Sequence, residues 1–154
     1  MKAKTTATLV LFFGLVAVCF AQSSQMGTWK LNEAKSKLAA NAPVKNNTVV
    51  YEMAGDNVKV TVDGTRDGKP MHSEWTGKFD GKDYPVTGDP AADARSYKQI
   101  DENTLELSIK KDGKVTTTGR IVTSADGKTR TVTTNGTDAQ GKKIESVAVY
   151  DKQT

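Results

Sequence analysis

His72 is the single histidine of this 154-residue chain, and Cys19 is its single cysteine. A histidine can move a proton or hold haem, whereas zinc and iron sites draw on several histidines and cysteines together. One of each, far apart in sequence, predicts no metal site. His72 also shares its parity with Glu74, Thr76 and Lys78, opposite Met71, Trp75 and Phe79, which reads as a solvent-facing position. The carboxylates Asp80 and Asp83, and Asp89 and Asp93, lie close enough in sequence to work in pairs. An acid–base pair needs one carboxyl group in an apolar setting to raise its pKa. These aspartates stand among Gly, Lys and Pro, so they read as turn residues. No serine or threonine lies in a nucleophile elbow, and there is no glycine-rich phosphate loop. The chain is therefore expected to be no enzyme and to carry no cofactor.

The remaining chemistry is that of binding. Trp29, Tyr51, Trp75, Phe79, Tyr84, Tyr97 and Tyr150 hold most of the large apolar area in a chain otherwise rich in valine and threonine. Aromatics line binding pockets and equally fill cores. Tyr51, Trp75, Phe79, Tyr97 and Tyr150 are candidate ligand contacts, and Trp29 is a candidate structural plug. Arg120 shares its parity with Thr116, Thr118 and Val122. If that face points inward, Arg120 is a buried cation seeking an anion; if outward, it is surface decoration. Asn46-Asn47-Thr48 and Asn135-Gly136-Thr137 match the glycosylation sequon.

Strands must position these groups. Residues 57–63 read N-V-K-V-T-V-D and residues 104–110 read T-L-E-L-S-I-K, each alternating apolar and polar. Residues 71–79 alternate likewise, and 115–123, 129–134 and 144–150 are β-branched runs of strand length. Period two repeated this often predicts antiparallel strands with one covered face. Gly55-Asp56, Asp63-Gly64, Asp67-Gly68, Asp80-Gly81, Asp112-Gly113, Asp126-Gly127 and Asn135-Gly136 punctuate the runs and read as hairpin turns. The pattern predicts an all-β fold of eight to ten strands, an antiparallel up-and-down β-barrel with a sandwich as the alternative. At most one short helix is expected, near residues 32–40, with Asn32 as its cap.

The first 21 residues read as a cleavable secretory signal. Lys2 and Lys4 precede an uncharged run, residues 9–21, that ends in Cys19-Phe20-Ala21. A helix of that run spans about 20 Å, short of the roughly 30 Å of a bilayer core, so no stable membrane span is expected. Val18 is bulky for the position before a lipid-modified cysteine. Cleavage after Ala21 removes the cysteine and two of the 22 basic residues, leaving 20 against 18 acids and a net charge of +2 instead of +4. The bases are interleaved with acids, so no nucleic-acid partner is expected. Residues 22–154 suffice for a single domain, acting in the periplasm or secreted.

Gly27-Thr28-Trp29-Lys30-Leu31 near the start and Val149-Tyr150-Asp151-Lys152 near the end resemble the G-T-W-K-L opening and V-Y-x-K close of intracellular fatty-acid-binding proteins. The stretch from Asp112-Gly113-Lys114 to Arg120 is similar to their D-G-K-x-T-T-x-x-R hairpin. Residues 27–37 and 79–88 resemble exported bacterial lipocalin-like proteins of unassigned function. The resemblance implies a lipocalin-like barrel, with Trp29 plugging one end. It also implies a carboxylate site in which Arg120 and Tyr150 match two of the family's positions, while Ala148 replaces the arginine of its R-x-Y pair. Two functions follow as expectations. One is an exported carrier of a small apolar or amphipathic ligand held inside the barrel. The other is an envelope or secreted domain that binds a protein through its surface and holds no ligand.

Overall fold

The alternating runs close on themselves. The computed structural model describes residues 24–138 and 140–154; the signal segment lies outside them. Ten strands follow in order: β1 (Gly27–Leu31), β2 (Val44–Ala54), β3 (Asn57–Arg66), β4 (Lys69–Gly77), β5 (Tyr84–Thr87), β6 (Ala94–Asp101), β7 (Thr104–Lys111), β8 (Lys114–Thr123), β9 (Thr129–Thr137) and β10 (Lys143–Lys152). Each pairs antiparallel with its sequence neighbours, and β10 returns to β1 with Trp29 opposite Lys152 and Leu31 opposite Tyr150. The result is a closed up-and-down barrel, not a sandwich, and closure leaves no strand edge unpaired.

Turn chemistry follows the sequence at most hairpins. Asp67-Gly68 and Asp112-Gly113 each adopt φ values of 50° and 75°. Positive φ at both central residues is the type I′ turn whose twist matches the flanking strands. Asp63-Gly64 and Asn135-Gly136 depart from expectation, because they lie inside β3 and β9. These glycines allow backbones to touch. Gly64 pairs with Asn46, where the β2–β3 register slips between Asn46 and Thr48. A Cβ at Gly64 would stand 2.1 Å from the Lys45 carbonyl oxygen, and one at Gly136 would stand 2.9 Å from that of Thr116. The predicted helix is shorter than its window. Only Glu33–Lys35 forms a 3-10 turn, and the Asn32 side chain accepts a hydrogen bond from the Lys35 N–H at 3.2 Å. Two residues on, Lys37 exchanges backbone hydrogen bonds with Val147 of β10 at 2.7 and 2.9 Å, which ends any helix.

The two ends of the barrel differ. At one end Trp29 is fully buried and donates its indole N–H to the Gln25 carbonyl at 3.0 Å. The chain entering β1 is pinned there by hydrogen bonds from Gln25 to the Asn103 carbonyl and from Thr123 to the Gln25 amide oxygen. Trp29 thus lies buried at this end of the barrel. The β3–β4, β5–β6, β7–β8 and β9–β10 hairpins all turn at the opposite end, which stays open.

Candidate functional site

A cavity of about 740 Å³ runs inward from the open end. It exists because the barrel wall is uneven. The β8–β10 side presents Thr117, Thr134, Gly136, Ser146 and Ala148 to it, all small. The β2–β6 side fills its half with rings. Trp75 stands 4.8 Å edge-on from Tyr97, Phe79 stacks near Trp75 at 6.4 Å, and Tyr51 meets Tyr97 at 6.1 Å. Such tilted pairs add about 0.5–1.5 kcal/mol each beyond their burial. Four of the expected ligand contacts, Tyr51, Trp75, Phe79 and Tyr97, are therefore packed together in the core and do not line this cavity. Tyr150 does line it. Its hydroxyl donates to the Asn46 carbonyl at 3.0 Å, bracing the slipped register of β2. Burial pushes the Tyr150 phenol up to about 12, with Arg130 pulling the other way.

Arg120 faces out. It is exposed, as are its same-face neighbours Thr118 and Val122, while Ile121 beside it is 2 % exposed. The polar face of β8 is the solvent face, so Arg120 does not reach the interior. Other arginines do, and the sequence reading passed over them. Arg130 of β9 is directly opposite Tyr150 in register and is 2 % exposed. Its guanidinium carbon lies 4.2 Å from the Tyr51 ring centre and 4.9 Å from that of Trp29. Arg130 therefore rests on aromatic faces, beyond the cavity floor. Arg95 of β6 lines the cavity and is 7 % exposed. Arg66, at the end of β3, lines the mouth and grips Asp89 with both oxygens in reach, 3.0 and 3.2 Å from its Nη2. The signal for Arg95 was present: Arg95-Ser96-Tyr97 puts an arginine and a tyrosine on one face of a strand.

The rest of the lining mixes aliphatic and polar side chains, with Lys45, Asp67, Lys111 and Asp138 among the polar ones. Leu31, Met71, Ile109, Val132, Ile144 and Ala148 line the space, and most also pack against the core. A strap, residues 36–43, crosses part of the mouth. Ala39 N–H donates to the Ser146 hydroxyl at 3.0 Å, the Asn41 amide donates to Asp138 at 3.2 Å, and Asp67 N–H donates to the Pro43 carbonyl at 2.7 Å. The strap occupies part of the window in which one short helix was expected.

The remaining candidates sit outside the cavity chemistry or at its edge. His72 is on the outer face, its Nδ1 2.6 Å from Asp63 and its Nε2 3.7 Å from Glu74. Asp80 accepts hydrogen bonds from the Lys82 N–H and the Tyr84 hydroxyl, which is turn work. Of the two sequon asparagines, Asn135 is exposed on β9, whereas Asn46 lines the cavity with its amide oxygen buried. Among the described residues, no three of His, Cys, Asp and Glu gather to hold a metal, and no helix is long and apolar enough to cross a membrane.

No protein-family model matches the chain, and no curated protein matches it. Among solved structures, it is similar to the S-type phycobiliprotein lyase CPES from Guillardia theta. The TM-score is 0.53 at 12 % identity, with 86 % of this chain and 90 % of that chain covered. At that identity the likeness carries the fold: a ten-stranded antiparallel barrel of nearly the same extent. The lyase activity belongs to the neighbour.

Proposed function

We propose that this protein carries a small amphipathic molecule inside its barrel. The observation that carries the reading is the cavity of about 740 Å³, open at one end, where an aliphatic wall meets polar and charged side chains in comparable number. Pockets that enclose small ligands have this size. The apolar body of the guest lies against Ile109, Val132 and Ala148, where each buried CH₂ contributes about 0.8 kcal/mol. The lining offers hydroxyls, amides and charged groups of both signs, which orient the polar end of a guest. The fold likeness to CPES is compatible with an interior site. Under the same proposal the carrier works outside the cytosol, on the strength of the signal read in residues 1–21.

Native mass spectrometry of the protein purified from its own host tests both parts. The expected spectrum shows a chain beginning at Gln22 with one small molecule bound, released by solvent extraction. A chain that is always empty, and that pulls down a stoichiometric protein partner through its outer strand faces, would replace the carrier with a surface-binding domain. A mass that includes residues 1–21 would remove the export reading and leave the carrier.

A further inference from the structure

We infer that the guest carries a negatively charged head, and that Arg95 of β6 binds it inside the cavity. The inference rests on the carrier reading and adds the class of ligand. A guanidinium has five N–H donors and stays charged in a protein. Arg95 is 7 % exposed and lines the cavity, yet among the described residues its one side-chain hydrogen bond goes from Nη1 to the Tyr97 hydroxyl at a long 3.4 Å. Its Nε is buried without a partner. Among the described residues no carboxylate forms an ion pair with it. The nearest comparison lies in the same cavity: Arg66 is neutralised by Asp89 through contacts of 3.0 and 3.2 Å. A buried cation without a counter-charge is costly, and an incoming anion relieves that cost.

Several placements make Arg95 a binding group. Its carbonyl accepts the Trp75 indole N–H at 2.8 Å, so the backbone that carries it is fixed to the aromatic core. Directly opposite it in register is Ile109, an aliphatic cavity residue. A charge therefore adjoins an apolar wall, the arrangement that an amphipathic anion matches. Arg66 is paired with Asp89 and Lys45 with Glu33, so Arg95, which Asp89 attracts without touching, is the guanidinium of the lining that has no ion pair among the described residues. Arg130 does not line the cavity, and Arg120 is outside the barrel, so neither supplies this contact.

The test compares two probes of equal chain length, dodecanoate and dodecan-1-ol. Each is titrated below its aggregation threshold into the mature protein after solvent extraction of any guest, at about pH 7.5, where the acid is ionised. The wild type is expected to bind dodecanoate roughly tenfold to a hundredfold more tightly than the alcohol, the range of one charge-assisted hydrogen-bonding site. Arg95→Met should lose that preference and keep the alcohol affinity, and Arg120→Met should leave the preference unchanged. Equal affinities in the wild type overturn the inference, with the carrier reading intact, and this arm needs no variant to fold. A preference that survives Arg95→Met, or disappears in Arg120→Met, also overturns it. Failure of both probes to bind overturns the inference together with the reading beneath it.

Discussion

Arg95 and Arg120 show how little residue type decides by itself. Both are arginines on strands, and only Arg95 points into the barrel. Arg120 entered as a candidate because its hairpin resembles a family motif, yet its alternation, with polar Thr118 on its own face and apolar Ile121 on the other, already fits an outward position. Arg95 escaped notice because Arg95, Ser96 and Tyr97 are all buried, so the first half of β6 shows no alternation and its exposed face begins only at Lys98. His72 was legible for the opposite reason: its neighbours in parity are charged. The Asp63 hydrogen bond raises the His72 pKa, with Glu74 adding to it, while partial desolvation opposes both. A raised folded-state pKa gives stability that is complete below the unfolded value, about 6.5, and is lost as pH rises through the folded value. The urea midpoint of the wild type should therefore exceed that of Asp63→Asn by more at about pH 5.5 than at about pH 8.5. Equal differences at the two pH values would mean that the contact does not couple to folding.

At the scale of elements, strands with one wet face were readable and irregularities were not. Residues 57–62 alternate cleanly because core and partly exposed positions take turns along them, whereas in 104–109 the side-chain types alternate although Thr104 is buried beside Leu105. The register slip in β2 breaks its alternation, and the polar inward residues of β8 to β10 resemble a solvent face while they line a cavity. The same cause misread Asp63-Gly64 as a turn. Local chemistry identifies a glycine, but only the bulged partner strand tells why it is there. Gly64→Ala would push a methyl group into the Lys45 carbonyl, 2.1 Å away. Backbone cannot move aside as a side-chain tip can, so the substitution should cost about 1–3 kcal/mol. Denaturant unfolding would register this as a lower midpoint with the same slope; an unchanged midpoint would contradict the close approach.

The whole molecule divides its interior between two tasks. Trp29 is buried at one end, with Arg130 over its ring, and one flank is packed with rings. The other flank is lined with small residues and left open toward the mouth. The barrel was legible from the repeated alternation and the turn residues. The division was not, because a cavity is a three-dimensional remainder: it depends on which small residues face which large ones across the barrel. Closure also explains how a chain sparse in large apolar residues holds together, since every strand shares its hydrogen bonds with two neighbours. Methyl NMR of the extracted protein, titrated with dodecanoate, tests the interior site most directly. The account predicts that the methyl signals of Leu31, Met71, Ile109 and Val132 shift together and saturate at one equivalent, while those of Val115 and Val122 on the outer surface stay in place. Shifts confined to Val115 and Val122, with the cavity methyls unmoved, would contradict it.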